Sequence, residues 1–221
     1  MTVDTVVFDV LGTLVDQEAG LRDAIRGLVP DVAAAVAGWQ GYVAAEHRRV
    51  VAGEREYVPA DVLDREAAGV VVGEGDLDAL AGVTGRLHAW PDTAELLERL
   101  AARYEVLALS NADHTTLVRL CAHAGLRWHT ALSTEAVRSY KPDPAVYRLA
   151  IERVGRPPER ILMVAAHAWD LRGAQAAGMR TAFLDRPGAD PPGPADRFDH
   201  HLAGADELVA LLDQSLDQSP A

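Results

Sequence analysis

The strongest constraint on the fold is the alternation of short apolar runs with helical stretches over residues 91–221. Apolar runs occur at residues 106–109, 161–165 and 181–184, and a further short strand is predicted at residues 131–132. Helices are predicted between and after these strands, at residues 115–124, 144–154 and 170–177. Strands of a parallel sheet read as continuous apolar runs because helices cover both faces. The alternation therefore predicts an α/β fold with a doubly wound parallel sheet.

A further strand comes before this region and is separated from it by a long helical segment. Residues 5–8 (TVVF) form a β-branched and aromatic run that leads into Asp9 and a turn at Gly12. Helical spacing follows at residues 18–28, 32–51 and 60–71, with breaks expected at the glycines of residues 73–75 and 82–85. The order of elements is a strand, a helical insert, and then the rest of the sheet.

Pro91 marks the return to the α/β core. Residues 92–95, from Asp92 to Glu95, are expected to form a capping box that opens the next helix. The polar residues 214–221 are expected to be frayed. The sequence therefore predicts a core domain of residues 1–15 and 91–221, with an all-helical domain of residues 16–90 inserted into it.

Charge and composition argue against several classes of function. The net charge is -12 and the isoelectric point is about 5.0, so no basic patch is expected to bind nucleic acid. Cys121 is the only cysteine, which fits a reducing compartment. The sequence shows neither a targeting segment nor an apolar run long enough to span a membrane. We expect a cytoplasmic protein with a small-molecule substrate.

Polar residues follow the predicted strands where parallel strands place a binding site, at their carboxyl ends. The first strand ends at Asp9, the second at Ser110 and Asn111, and the strand at residues 161–165 leads into His167 and Asp170. Lys141 lies in the loop after the short strand. Lys141 and Asn111 are the only lysine and the only asparagine in the chain. Each of these residues alone could serve a local structural role, but their joint placement indicates a site.

Taken together, these motifs resemble those of the haloacid dehalogenase (HAD) superfamily over nearly the whole chain. The first motif is FDVLGTLVD at residues 8–16, and the second is LSN at residues 109–111. Lys141 in YKPDP is the third, and VAAHAWD at residues 164–170 is the fourth. The resemblance implies a Rossmann-like HAD core, with the helical insert as its cap domain.

The resemblance also implies catalytic roles that suit these residue types. Asp9 would be a nucleophile that forms a covalent intermediate and so divides one difficult step into two. Lys141 would keep Asp9 ionised, and Thr13 with Ser110 would hold the nucleophile and the bound anion. Asp170 would orient or deprotonate the water that opens the intermediate.

Two departures disfavour the magnesium-dependent phosphatases of the superfamily. Those enzymes carry a general-acid aspartate where this chain has Leu11, and usually an acid where it has Ala165 and Ala166. Few hard oxygen ligands would remain for magnesium. Trp169 beside Asp170, and Tyr147 six residues after Lys141, resemble the metal-independent 2-haloacid dehalogenase branch. In that branch an aspartate displaces halide from the carbon beside a carboxylate.

This chain also departs from the dehalogenase branch. That branch commonly has an aromatic residue at the Leu11 position, and an arginine that binds the leaving halide at the Gln40 position. Arg48, Arg49 or Arg55 would substitute for it if the cap helix shifts. His167 replaces an asparagine, which keeps open a HAD-type epoxide hydrolase in which it serves as a proton-transfer group.

The sequence interpretation therefore has a leading hypothesis and several alternatives. The leading hypothesis is a metal-independent dehalogenase-like hydrolase. Its catalytic residues would be Asp9, Lys141, Asp170 and His167. Its substrate-binding residues would be Leu11, Thr13, Gln40, Ser110, Asn111, Tyr147 and Trp169. A magnesium-dependent phosphatase, an epoxide hydrolase and a non-catalytic HAD-fold binding protein remain alternatives, and a homodimer is expected from related proteins.

Overall fold

A computed structural model of the chain describes residues 3–73 and 77–217, with side-chain surroundings up to residue 214. Its centre is a six-stranded parallel sheet in the order β3-β2-β1-β4-β5-β6. The strands are β1 Thr5–Phe8, β2 Glu105–Ser110, β3 Thr130–Ser133, β4 Ile161–Ala165, β5 Arg180–Leu184 and β6 His200–Leu202. The predicted doubly wound α/β fold is therefore confirmed.

Helices lie on both faces of the sheet and form the insert. They are α1 Gln17–Ile25, α2 Val32–Val51, α3 Ala60–Val72, α4 Leu77–Leu80, α5 Thr93–Ala101, α6 His114–Ala124, α7 Pro144–Val154, α8 Ala168–Ala176 and α9 Ala205–Asp217. Short 3-10 turns occur at Val83–Arg86, Thr134–Val137 and Pro158–Arg160. In the described part of the chain, no helix is long and apolar enough to cross a membrane.

Alternate residues of the strands supply two hydrophobic cores, one on each face of the sheet. Val6 and Phe8 of β1 pack with α5, α6 and α9, whereas Val7 packs with α7 and α8. All four residues of β1 and all five of β4 are buried. Because both faces of these strands are covered, the sheet itself can offer polar groups to a ligand at the strand ends.

The helical insert packs as a unit and joins the core through two paired chain crossings. Leu21, Ile25 and Trp39 belong to its own apolar core. At the junction, Asp16 N–H donates to His88 O, and Trp90 N–H donates to Leu14 O. The crossings lie beside the predicted boundaries at residues 15 and 91, and the division into two domains stays a proposal.

Several sequence expectations differ from the structure at the ends of elements. The predicted capping box is wrong: the Asp92 carboxylate accepts a hydrogen bond from Arg186 Nη1 at 2.7 Å and caps no helix. A charged partner far away in sequence outcompetes the local backbone N–H groups. The first insert helix ends at Ile25 rather than at residue 28, because Gly27 follows with a φ of +86°.

Strand β6 and helix α9 were not predicted from the sequence. Helix α9 continues to Asp217, through part of the tail that was expected to be frayed. Residues 218–221 of that tail, and residues 74–76 around the predicted break at Gly75, lie outside the described residues. Helix α3 ends before Gly73, as expected for a glycine with a φ of +75°.

Candidate active site

One lysine ties together the ends of β1 and β4. Lys141 Nζ donates to Asp9 Oδ1 at 2.8 Å and to Asp170 Oδ2 at 2.7 Å. The exposed fractions of the three side chains are 1%, 7% and 0% in the order Lys141, Asp9 and Asp170. A buried charge must be paired to be tolerated, and a single cation here pairs with two carboxylates.

The turn after β1 fixes the second oxygen of Asp9. Thr13 Oγ1 donates to Asp9 Oδ2 at 2.7 Å and accepts from the backbone N–H of Ala166 at 2.9 Å. Gly12 makes this tight turn with a φ of +81°, and a Cβ there would lie 2.8 Å from His167 Nε2. Glycine is therefore required both by the backbone conformation and by the imidazole beside it.

Asp170 lies in the first turn of α8 and is held from a third direction by helix α7. Tyr147 Oη donates to Asp170 Oδ1 at 2.7 Å. Tyr147 fits only because Gly173 leaves room, since a Cβ at Gly173 would overlap the tyrosine ring. We call Asp9, Thr13, Lys141, Tyr147 and Asp170 the cavity floor.

The only asparagine positions the only lysine. The backbone N–H of Lys141 donates to Asn111 Oδ1 at 2.9 Å, which joins the loop after β3 to the end of β2. Ser110 Oγ accepts from the backbone N–H of Ala112 at 3.1 Å and is fully buried. Asn111 therefore acts on the floor through the backbone of Lys141, and Ser110 stabilises the local turn.

The electrostatic surroundings keep Asp9 ionised. Burial alone would raise the pKa of Asp9, but Lys141, His167 and Thr13 outweigh that penalty and lower it. Burial raises the pKa of Asp170 despite its bond to Lys141, and the nearby Asp9 charge adds to this. The two carboxylates also raise the pKa of Lys141 against the effect of burial. The negative charge is therefore concentrated on Asp9.

His167 lies over the same turn. Its Nε2 is 3.1 Å from the carbonyl oxygen of Leu11 and 3.8 Å from Asp9 Oδ2. Since a carbonyl oxygen only accepts, we assign the proton of that contact to Nε2, and Nδ1 is then the acceptor whenever the ring carries one proton. The ring also stacks against Trp169 at a centroid distance of 5.6 Å.

A cavity of about 270 Å³ opens above Asp9, between the core and the helical insert. Its lining contains Asp9, Leu11, Gln40, Asn111, His167 and Trp169 from the predicted site residues. The predicted residues that do not line it are Lys141, Asp170, Thr13, Ser110 and Tyr147. All five are buried: four of them belong to the cavity floor, and Ser110 lies beside it. Direct substrate contact for Thr13, Ser110 and Tyr147 stays a prediction.

Several cavity residues were missed by the sequence analysis. His47 shares one face of α2 with Gln40, Val43 and Ala44, and Asp64 reaches the cavity from α3. The spacing of residues 40, 43, 44 and 47 was a usable signal, since residues three and four apart lie on one helix face. For Asp64 no comparable pattern exists, because its position depends on how α3 packs against α2.

None of the described residues that line this cavity is an arginine or a lysine. The three arginines considered as substitutes for a halide-binding arginine do not line the cavity. Arg55 is bound to Glu46 and Glu66, Arg49 is bound to Glu46, and Arg48 does not line the cavity. Carboxylates of the insert itself therefore hold two of the three predicted guanidinium groups.

Comparison with known proteins agrees with this geometry. The sequence pattern of the haloacid dehalogenase-like hydrolases matches residues 3–178. The chain belongs to this family. The predictions of a HAD hydrolase and of its Rossmann-like core are therefore confirmed, and the predicted resemblance to the 2-haloacid dehalogenase branch is confirmed by the relatives below.

Two named members of the HAD family illustrate the relatives that are similar to this chain in sequence. The chain is 33% identical over 149 residues to (S)-2-haloacid dehalogenase 4A of Burkholderia cepacia, covering 66% of this chain and 64% of that protein. It is 27% identical over 197 residues to (S)-2-haloacid dehalogenase H-109 of Pseudomonas putida, covering 85% of this chain and 88% of that protein.

A solved structure of the family has a similar fold throughout. It is the L-2-haloacid dehalogenase of Xanthobacter autotrophicus with chloropropionic acid covalently bound, which is 25% identical. The TM-score is 0.85, and the match covers 96% of this chain and 99% of that chain. These relatives do not favour the phosphatase, epoxide hydrolase or binding-protein alternatives.

Proposed function

We propose that this HAD-family hydrolase removes halide from small 2-halo carboxylic acids, with Asp9 as nucleophile and without a metal ion. The observation that carries the proposal is the state of Asp9. It is an ionised carboxylate at the base of a cavity, held by Lys141 and Thr13, with no acidic side chain at position 11 to protonate a phosphate leaving group. The relatives named above support the same substrate class.

In the first step, an oxygen of Asp9 attacks the carbon that carries the halogen. A carbon–oxygen bond forms, the carbon–halogen bond breaks, and the halide leaves with the bonding electron pair. Lys141 and Thr13 favour this step because they hold Asp9 ionised and oriented. The intermediate is an ester between Asp9 and the substrate.

In the second step, water adds to the carboxyl carbon of Asp9. The acyl carbon–oxygen bond breaks, a 2-hydroxy acid leaves, and the carboxylate is restored with release of one proton. Two groups are candidates to accept that proton. The first is His167, which lines the cavity and can accept at Nδ1 when its ring carries one proton. The second is Asp170, which is a stronger base because burial raises its pKa, but its two oxygens already accept hydrogen bonds from Lys141 and Tyr147.

The two proton acceptors are distinguished by which step each variant slows. If His167 accepts the proton, His167→Gln accumulates the Asp9 ester, and Asp170→Asn mainly slows ester formation by disturbing Lys141. If Asp170 accepts it, Asp170→Asn accumulates the ester instead. Rapid quenching followed by mass spectrometry of the intact protein measures ester accumulation directly.

The floor fits a magnesium ion poorly. The described residues contain no group of three His, Cys, Asp or Glu side chains that could hold a metal. The carbonyl of Leu11 faces His167, and the two oxygens of Asp170 accept from Lys141 and Tyr147. Magnesium prefers several hard oxygen ligands, and here an ammonium group bridges the two carboxylates.

A release assay tests the proposed function. We expect (S)-2-chloropropionate to release chloride equally well in EDTA and in magnesium, and p-nitrophenyl phosphate to remain intact. Asp9→Asn should abolish the release, while the exposed Asp206→Asn serves as the matched control. Phosphate release that requires magnesium, with no chloride release, would contradict the proposal.

A further inference from the structure

The side of the cavity that faces Asp9 is built by the insert. We call Trp39, Gln40, His47, Asp64 and Thr84 the cap wall. They come from α2, α3 and the turn Val83–Arg86, and all five line the cavity. Asp64 and His47 of the wall carry hydrogen-bonding groups that the reaction proposed above does not use.

Asp64 presents a fixed carboxyl group. Its Oδ1 accepts from Trp39 Nε1 at 3.1 Å, and its Oδ2 accepts from Thr84 Oγ1 at 2.6 Å. Burial raises the pKa of Asp64 to about 6. Each carboxyl oxygen has two acceptor positions, so the two bonds orient the group and leave acceptor capacity. The cap wall therefore offers a ligand a hydrogen-bond acceptor.

His47 presents a donor. Because Lys141 N–H identifies the oxygen of the Asn111 amide, the Nδ2 of that amide is the atom 3.4 Å from His47 Nδ1. The amide nitrogen only donates, so His47 Nδ1 accepts and Nε2 carries the ring proton. Burial, and less strongly Arg48, lowers the pKa of His47 to about 3, so the ring is neutral.

The Nε2–H of His47 is buried and has no hydrogen-bond partner among the described residues. A buried donor without a partner is costly, and a ligand that accepts from it removes the cost. The ring itself is stacked on Tyr140 at 3.8 Å between centroids, which holds it in place. A small shift of the wall on ligand binding would present this donor to a ligand.

The charge of the cavity limits which chemical group of a ligand can bind against the cap wall. Asp9 and Asp64 are acidic, and the described lining contains no arginine or lysine. A second carboxylate would be repelled, and an alkyl group would leave His47 Nε2–H without a partner. A neutral group that donates to Asp64 and accepts from His47 satisfies both.

We propose that the cap wall binds a neutral donor-and-acceptor group, such as a primary carboxamide, at the substrate end remote from the carbon attacked by Asp9. This inference rests on the proposed function and specifies its substrate class. It assigns to Asp64 and His47 the role of choosing among halo acids, while the floor performs the reaction.

Three halo acids of equal chain length test the inference: (S)-4-carbamoyl-2-chlorobutanoate, (S)-2-chloropentanoate and (S)-2-chloropentanedioate. We expect kcat/KM to be highest for the amide, about ten-fold above the alkyl acid, and lowest for the diacid. An amide-to-alkyl ratio near one in the unmodified protein would overturn the inference.

Variants of the wall connect the ratio to its residues. Asp64→Ala and His47→Phe should each bring the amide-to-alkyl ratio towards one, whereas the exposed Asp61→Asn on the same helix should preserve it. Circular dichroism identifies a variant that fails to fold. The amide-to-alkyl ratio of the variant that does fold is then the test. A ratio that neither folded variant changes would overturn the inference.

Binding of halogen-free analogues separates this inference from the proposed function. Calorimetry compares 4-carbamoylbutanoate with pentanoate on the unmodified protein and on Asp64→Ala. If no halo acid is hydrolysed, the proposed function fails, and a preference for the amide that Asp64→Ala abolishes still supports the cap wall. Equal affinities for the two analogues would contradict it.

Discussion

The cavity floor and the cap wall face each other across one cavity but differ in how completely their polar groups are paired. On the floor, one ammonium group, one hydroxyl and one phenol hold two carboxylates. On the wall, no charged partner meets Asp64, and one ring nitrogen of His47 has no partner among the described residues. The floor is internally satisfied, whereas the wall keeps hydrogen-bonding capacity free.

Because of this difference, we assign the reaction to the floor and the choice of substrate to the wall. A nucleophile must be held ionised and oriented before substrate arrives, which requires a rigid and paired network. A binding wall gains affinity only from groups that are still available when the ligand enters. We therefore expect changes on the floor to abolish turnover and changes on the wall to redirect it.

Lys141→Met should have the largest effect. It leaves Asp9 and Asp170 buried without their cation, which typically costs about 3–5 kcal/mol in the free energy of unfolding. Turnover should fall at least about 1,000-fold because Asp9 loses the charge that keeps it ionised. Urea unfolding and halide release measure both effects. The exposed Arg156→Met is the control. Full activity in Lys141→Met would contradict the assignment of the reaction to the floor.

Tyr147→Phe should have an intermediate effect on the floor. Removing the hydroxyl leaves Asp170 Oδ1 without a donor, which costs about 1–3 kcal/mol in stability. Tyr104→Phe is the matched control, since Tyr104 Oη donates to the buried carbonyl oxygen of Leu212 at 2.7 Å, away from the site. Both variants should lose stability, but only Tyr147→Phe should lose kcat. Equal kcat in the two would place Tyr147 outside the reaction.

Gln40→Arg should make the wall favour a simple halo acid. A guanidinium group stabilises a departing halide better than an amide does, so kcat/KM for (S)-2-chloropropionate should rise about ten-fold. Gln17→Arg, at another position of the cavity lining, controls for the added charge alone. An equal increase in both variants would show a general charge effect, and no increase would show that Gln40 lies away from the leaving group.

Asp64→Asn should have the smallest effect, visible in stability as a function of pH. The folded pKa of Asp64, about 6, exceeds the ordinary value of 3.8, so its protonated form stabilises the folded state below about pH 4. That contribution is lost as pH rises through 6. The variant should therefore gain about 1 kcal/mol over the unmodified protein between pH 5 and pH 7.5.

Urea unfolding at the two pH values measures this difference. The exposed Asp61→Asn on the same helix controls for the loss of one negative charge. If Asp64→Asn gains nothing relative to that control between pH 5 and pH 7.5, the buried state assigned to Asp64 is wrong.

The sequence predicted the floor well because its residues follow strands with strong local patterns. Asp9 and Asp170 of the floor, and Asn111 beside it, come just after apolar runs, and parallel strands bring such ends together wherever the helices between them lie. Lys141 was found because it belongs to a motif and is the only lysine. Its contact with both carboxylates follows from the topology of the sheet.

The wall was predicted poorly because helix packing leaves little trace in sequence. Gln40 was identified through its place beside Trp39, but His47 and Asp64 needed the relative position of α2 and α3. The capping box at Asp92 failed for a related reason, since its partner Arg186 lies 94 residues away. Interactions across distant segments depend on tertiary structure, which local patterns do not encode.

The most direct test of the account follows the oxygen atom delivered to the product. A single turnover of (S)-2-chloropropionate with excess protein in ¹⁸O-labelled water, read by mass spectrometry, reports the nucleophile. We predict unlabelled lactate and one ¹⁸O in the peptide that contains Asp9, because water attacks the Asp9 ester rather than the substrate. Labelled lactate with an unlabelled Asp9 peptide would contradict the account.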